Sequence, residues 1–87
     1  MSILKIVHTE KFDNKLGRLP KQIQRKFLKQ IQLLQSDFRH PSLHAKRMED
    51  GYWEARIDLH YRFKFSLDGG EVVLLVAGMH DEGLGKK

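Results

Sequence analysis

Residues 53–65, WEARIDLHYRFKF, decide how this chain can fold, because apolar and polar residues alternate through them twice. Alternation with a period of two is typical of a strand with one buried and one solvated face. The segment predicts strands at Tyr52–Asp58 and Arg62–Leu67, joined by a loop at Leu59-His60-Tyr61. A three-residue loop keeps the apolar residues of both strands on one side, whereas a two-residue loop would mix the two sets.

This register predicts a sheet with two different faces. It pairs Asp58 with Arg62, and Arg56 with Lys64. The inner face, which we expect to pack on helices, comprises Trp53, Ala55, Ile57, Phe63, Phe65 and Leu67. The outer face comprises Glu54, Arg56, Asp58, Arg62, Lys64 and Ser66. The sheet should therefore have one dry face and one wet, mostly cationic face.

The N-terminal half predicts one strand and two helices. The strand is Ser2–Val7, and the first helix is Glu10–Arg18, with the Thr9 hydroxyl as its cap. The second helix begins with Pro20 in its first turn and lasts until Ser36-Asp37. Its apolar stripe has helical spacing and consists of Ile23, Phe27, Ile31 and Leu34.

The C-terminal half adds a long connection and a last strand. Residues Asp37–Gly51 show no sustained periodicity, so we expect one long connection, a feature that is often functional. The turn Asp68-Gly69-Gly70 leads into a strand at Glu71–Ala77, which is apolar throughout Val72–Val76 as a central strand would be. The fold class is therefore α+β in the order β-α-α-β-β-β, an antiparallel-rich four-stranded sheet packed on a helical hairpin. At 87 residues the chain should form one domain, 1–87.

Composition narrows the possible partners. The formal net charge of +5 favours a polyanion, either nucleic acid or an acidic protein. The outer face of the second helix is basic as well, and it is either a solvated face or a contact for an acidic partner. Without cysteine, a signal peptide or a membrane span in the sequence, we expect a soluble cytoplasmic protein.

The residues that could carry chemistry are cations and one histidine. The outer sheet face holds Arg56, Arg62 and Lys64, and Lys46-Arg47 lie in the long connection. One interpretation is that this face only keeps the protein soluble. The other is that it binds phosphate, a group to which arginine is well suited. His80 leaves a buried strand and is better placed for proton transfer than His60, which we expect on the surface of a turn. The five histidines lack zinc-site spacing, so no metal is assigned.

The motifs KRMEDGYWEARIDLHYRFKF, at residues 46–65, and EVVLLVAGMHDE, at residues 71–82, resemble toxins of the RelE/ParE superfamily of type II toxin-antitoxin systems. The recurring pattern there is a basic-apolar-Gly loop, a W/Y-x-x-R strand, a Y-R-hydrophobic strand and a last strand ending in G-x-H or G-x-R. The match covers essentially the whole chain, including the order of the elements.

The resemblance implies a ribosome-dependent endoribonuclease that cuts mRNA and is neutralised by a cognate antitoxin. In that family the ribose 2′-OH attacks the adjacent phosphate. Arg62 matches the phosphate-binding arginine, and His80 matches the proton-transfer histidine of YafQ-like members. Lys46, Arg47, Arg56 and Lys64 are then expected to bind RNA. No small-molecule cofactor and no membrane partner are implied.

Two other functions remain open at this point. ParE-type relatives share the fold but poison DNA gyrase, so fold alone does not choose between the two targets. The tail DEGLGKK has Leu84 where many active members carry an aromatic residue. A degenerated, non-catalytic toxin that only binds its antitoxin is the third possibility.

Overall fold

A mixed five-stranded sheet with helices on one face forms the core of the fold. The structure, a computed structural model, describes residues 4–79. Its elements in chain order are β1 (Lys5–Val7), α1 (Glu10–Gly17), α2 (Lys21–Ser36), a short 3₁₀ helix (Pro41–Leu43), β2 (Lys46–Arg47), β3 (Trp53–Arg56), β4 (Tyr61–Asp68) and β5 (Glu71–Met79). The strands lie in the order β1-β5-β4-β3-β2, and only the β1–β5 pair is parallel. The α+β class and the antiparallel majority are confirmed.

The predicted number of four strands is wrong, because the long connection contains a fifth. Two residues, Lys46 and Arg47, pair with Glu54 and Trp53 to form β2 at the edge of the sheet. A two-residue strand is too short to show any periodicity in sequence. The segment Asp37–Gly51 is therefore partly ordered by pairing with β3.

Short polar contacts fasten both helices to the sheet. The Thr9 side chain caps α1 as predicted, accepting the Phe12 N–H at 3.1 Å, and its hydroxyl donates to the Leu74 carbonyl of β5 at 2.8 Å. On α2 the Gln30 Nε2 donates to the Arg56 carbonyl of β3 at 2.9 Å. Pro20 immediately precedes α2 as its N-cap, rather than lying within its first turn.

The core lies between the helices and the inner sheet face. Its fully buried members are Phe12, Ile23, Phe27, Leu34, Leu43, Ala55, Ile57, Phe63, Phe65, Val72, Leu74 and Ala77. Trp53 and Leu67 are partly buried against this cluster. The predicted inner face is thus confirmed, residue by residue. Within residues 4–79, neither helix combines the length and the apolar character needed to cross a bilayer.

The β3–β4 hairpin turns one residue earlier than predicted. The loop is Asp58-Leu59-His60, and the Ile57 N–H donates to the Tyr61 carbonyl at 2.9 Å. Asp58 leaves the ladder because its carboxylate accepts the N–H groups of His60 and Tyr61, at 2.9 and 3.0 Å, which turns the chain. Moving the loop by one residue changes the partner of each residue by two positions. Because side chains alternate with a period of two, every side chain keeps its predicted face.

The pairs along the hairpin therefore differ from the predicted ones. Arg56 lies opposite Arg62, and Glu54 lies opposite Lys64. The next hairpin, β4–β5, turns through Gly69 and Gly70 as predicted. Both glycines have positive φ, 57° and 84°, the conformation that a two-residue type I′ turn requires.

Candidate functional site

The cations of the outer sheet face lie in two rows that run across the strands. One row consists of Lys46 on β2, Glu54 on β3, Lys64 on β4 and Val76 on β5. The next consists of Arg56 on β3, Arg62 on β4 and Gly78 on β5. Because register partners share a face, the sheet itself brings together basic residues that are up to 18 positions apart in the sequence.

Two arginines directly opposite each other form the centre of this site. Arg56 and Arg62 are half-buried, and neither forms an ion pair within residues 4–79. The Arg62 Nη1 donates to the carbonyls of Asp58 and Leu59, at 3.0 and 3.2 Å, so the β3–β4 turn holds this guanidinium in place. Like charges directly across a ladder destabilise a sheet. An anion bound between the two side chains would remove that repulsion.

A cleft beside this pair could receive such an anion. It has a volume of about 370 Å³ and is lined by His44, Ala45, Lys46, Glu54, Arg56 and Arg62. Three of the six lining residues are cations and one is an acid, so the cleft is basic on balance. It is open to solvent on the outer side of the sheet, where a chain of phosphates could enter.

Lys64 occupies a different environment from the two arginines. Its Nζ lies 2.7 Å from Asp50 Oδ2 and 5.3 Å from the centre of the Tyr52 ring, and its side chain is only 13% exposed. The hydrogen bond from Lys64 is the main cause that holds the pKa of Asp50 below its usual range, and the hydrogen bond from the Tyr52 N–H is the second. Lys64 is therefore already neutralised and offers less charge to a ligand than Arg56.

Arg47 points away from the other cations. It pairs with Trp53, an inner-face residue, whereas its neighbour Lys46 pairs with the outer-face Glu54. Its side chain is exposed at the edge of the sheet, on the side of the helices. The structure thus brings together Lys46, Arg56 and Arg62, but not Arg47.

The β1–β5 side of the outer face differs from the mostly cationic face that the sequence predicts. There the central outer positions are apolar, because Val73 lies between Ser66 and Val7, and Val76 lies opposite Lys64. At one end of this side, Lys5 pairs with Glu71. A register shift opposite Lys64 and Phe65 leaves Leu75 as an extra residue in β5. The cationic half of the outer face is therefore the part formed by β2, β3 and β4.

The histidines differ in their relation to the cleft. His80 lies outside the described residues, which end at Met79, opposite Tyr61. His60 is exposed in the β3–β4 turn, as predicted. His44 lines the cleft, although nothing in its sequence context distinguishes it from the other histidines. Sequence spacing could not identify it, because His44 and Arg56 are 12 positions apart and only the folded connection brings them together.

Comparison with known proteins identifies a family and several solved structures that are similar to this chain. The profile of the family described as "Phage derived protein Gp49-like (DUF891)" matches residues 14–80. No curated protein sequence matches the chain significantly.

Solved structures with a similar fold are toxins of toxin-antitoxin systems. RelE in the archaeal RelE-RelB complex of Pyrococcus horikoshii OT3 has a TM-score of 0.79 and 17% identity, over 92% of this chain and 98% of that one. YafQ from E. coli BL21(DE3) has a TM-score of 0.74 and 14% identity, over 88% of this chain and 93% of that one. A YoeB/ParE toxin from Agrobacterium tumefaciens has a TM-score of 0.73 and 17% identity, over 88% of this chain and 99% of that one. These matches confirm the RelE-like fold.

Proposed function

Because the chain belongs to the Gp49-like family of phage-derived proteins and has the RelE-like fold over most of its length, we propose that it is the toxin of a type II toxin-antitoxin system that cleaves ribosome-bound mRNA. The single observation that carries this proposal is the pair Arg56–Arg62, which faces an open cleft and forms no ion pair within residues 4–79. Planar guanidinium groups match the geometry of phosphate, so an RNA backbone is the anion that suits the pair best.

The proposed reaction is attack of a ribose 2′-OH on the adjacent phosphate. Negative charge grows on the phosphate oxygens during this step, and Arg62, held by the turn carbonyls, would stabilise it without having to reorganise. Arg56 would bind the same phosphate, and Lys46 would bind a neighbouring one. His80 would transfer a proton as acid or base. Lys64 and Arg47 would contact RNA more weakly, since Lys64 is paired with Asp50 and Arg47 lies on the other side of the sheet.

A cognate antitoxin is the proposed protein partner. Several structures with this fold were solved as toxin-antitoxin pairs, including RelB-RelE of Methanococcus jannaschii and DinJ-YafQ of E. coli. The net charge of +5 suits an acidic segment that covers the cleft while the toxin is inactive. Such a segment would block the RNA by occupying the same arginines.

The test is cleavage of translating mRNA by the wild type and by arginine variants. We expect Arg56→Ala and Arg62→Ala each to lower the cleavage rate by about 100-fold or more, as loss of a preorganised charge-stabilising donor does. Arg56 is the cleaner site, because its guanidinium makes no hydrogen bond or ion pair in the described part of the chain. Arg62→Ala also removes the bonds to the turn, so its thermal melting must be measured alongside.

Arg18→Ala serves as the matched control, because Arg18 is exposed at the end of α1 rather than on the outer sheet face. Wild-type activity in both Arg56→Ala and Arg62→Ala would refute the assigned site. If ribosomes show no cleavage but DNA gyrase supercoiling is inhibited, the ParE-like function is correct. Tight antitoxin binding without growth arrest would indicate a toxin that has lost catalysis.

A further inference from the structure

One aromatic ring is exposed on the outer sheet face, away from the helices. Tyr52 is 43% exposed, whereas every other Phe, Tyr and Trp ring in the described part of the chain is buried or half-buried. Its carbonyl accepts the Met48 N–H at 2.7 Å, which extends the β2–β3 ladder by one pair. Because Trp53 packs against the core, its neighbour Tyr52 faces outward, on the same side as Arg56 and Arg62.

Asp50 holds this ring in place. Its Oδ1 accepts the Tyr52 N–H at 3.0 Å, and its Oδ2 accepts a hydrogen bond from the Lys64 Nζ at 2.7 Å. The same Nζ lies 5.3 Å from the centre of the Tyr52 ring, within the range of a cation–π contact. The phenol hydroxyl makes no hydrogen bond within residues 4–79. A ring that is already held by its neighbours loses little conformational freedom when a ligand binds to it.

The charge of the outer face changes along β3. At one end, the guanidinium groups of Arg56 and Arg62 form no ion pair between residues 4 and 79. At the other end, beside Tyr52, the charges of Lys64 and Asp50 neutralise each other. Four positions of extended strand separate the two ends, a distance of about 13 Å. The first end suits a phosphate and the second a flat, uncharged ring, which are the two parts of a nucleotide chain that single-strand binding surfaces contact.

We propose that Tyr52 stacks on one nucleobase of the single-stranded RNA whose phosphate is bound by Arg56 and Arg62, a role that rests on the proposed function. Glu54 lies midway between Tyr52 and Arg56 on the same face, and its carboxylate repels phosphate. The RNA backbone therefore stays beside the arginines, and a base is turned toward the tyrosine. Because every base has a flat face, this contact positions the RNA rather than reading its sequence.

The test measures binding of a fluorescent oligoadenylate whose 2′-O-methyl groups prevent cleavage. We expect Tyr52→Ala to weaken binding by about 5- to 150-fold, the cost of losing one stacked base. Tyr52→Phe keeps the ring and should bind within a factor of about two of the wild type. Tyr52→Leu still covers Lys64 but has no ring, so it should bind as weakly as Tyr52→Ala. Leu28→Ala removes an exposed apolar side chain from α2 and is the matched control, which should bind like the wild type.

Two further readouts distinguish stacking from a loss of charge or of structure. Stacking releases no counterion, so Tyr52→Ala should leave the slope of log K against log salt concentration unchanged. Arg56→Ala should make that slope shallower by about 0.7, the contribution of one phosphate contact. Probes with a single abasic site at successive positions locate the stacked base. With the base missing at that position, Tyr52→Ala should cause no further loss of affinity.

The outcomes separate this role from the proposed function. Wild-type affinity in Tyr52→Ala together with weaker binding by Arg56→Ala would overturn the role of Tyr52 alone. A loss of affinity in Tyr52→Ala that is the same for every abasic probe would overturn it as well. A wild type that neither binds the probe nor cleaves translating mRNA would instead refute the proposed function.

Discussion

Asp58 shows how one side chain decides the register of a hairpin. Its Oδ1 accepts two backbone N–H groups of the turn, and its Oδ2 lies 3.5 Å from the Nζ of Lys26 on α2. Partial burial raises the pKa of Asp58, but the N–H groups of His60 and Tyr61 and the charge of Lys26 outweigh it, so the pKa lies below its usual range. The carboxylate thus positions the turn whose carbonyls hold Arg62.

Two replacements of Asp58 distinguish the contribution of its hydrogen bonds to stability from the contribution of its charge. Asp58→Ala leaves two backbone donors without their acceptor, so we expect the free energy of unfolding to fall by about 1–3 kcal/mol. Asp58→Asn keeps an oxygen for both donors and loses only the contact with Lys26, so its loss should be below about 1 kcal/mol. Urea denaturation at pH 7 measures both.

The pH dependence of the same variants provides a further check. Because the pKa of Asp58 is lowered by folding, its charge stabilises the protein above the ordinary aspartate value, about 4, and this stabilisation is lost as the pH falls through the lowered pKa. The difference in the free energy of unfolding between the wild type and Asp58→Asn should therefore disappear at low pH. A difference that persists at low pH would contradict this explanation.

At the scale of elements, the polar surface of α2 has two separate uses. Gln24, Gln30 and Gln35 donate their amides to backbone carbonyls of neighbouring segments. The exposed stripe Lys21, Arg25 and Lys29, at spacings of four, makes no ion pair within residues 4–79, and the helix contains no acid at all. Like charges four apart weaken a helix, so the stripe costs stability. A solvated face and a contact for an acidic partner both remain compatible with it.

Reversing one charge in this stripe should stabilise the protein. Arg25→Glu replaces two repulsions, with Lys21 and Lys29, by two attractions, which we expect to raise the free energy of unfolding by about 1 kcal/mol at low salt. Lys26→Glu is the control on the same helix, and it should destabilise because it places a carboxylate beside Asp58. Thermal melting at two salt concentrations measures both effects. A loss of stability in Arg25→Glu would mean that Arg25 has a structural partner.

At the scale of the whole molecule, a continuous series of aromatic rings joins the helices to the sheet. Phe27 on α2 lies 5.2 Å from Phe12 on α1 and 5.2 Å from Phe63 on β4, measured between ring centres. The series continues through Phe65 and Trp53 to Phe38, at 5.6, 6.3 and 5.3 Å. Phe27 is 1% exposed and is the ring that connects both helices to the strands.

Truncation of Phe27 should therefore destabilise the entire fold. We expect Phe27→Ala to lower the free energy of unfolding by about 3–5 kcal/mol, a large share of the stability of a small domain. Phe27→Leu keeps most of the volume and should lose far less. Denaturation monitored by Trp53 fluorescence and by far-UV circular dichroism should show one shared transition. A loss below about 1 kcal/mol would mean that the rings do not act as one core.

Much of the fold and part of the site could be predicted from the sequence. The bounds of α2, the Thr9 cap, the Gly69-Gly70 turn and the inner face are each encoded by neighbouring residues. Arg56 and Arg62 could be placed on one face because side chains alternate along a strand. His44 could not be placed in the site, because its position depends on the buried Leu43 and on Gln30 of α2.

The sequence alone was enough to predict both α-helices, four of the five strands and the faces of the residues on β3 and β4, because these features depend on periodicities of two to four residues. Only the tertiary structure decided that β1 pairs in parallel with β5, that β2 exists and that the hairpin turns at Asp58. It also decided that Arg56 meets Arg62 beside His44. Except for the turn, which the Asp58 carboxylate sets through its next neighbours, these features depend on contacts between segments that the fold brings together, and such contacts leave no local pattern to detect.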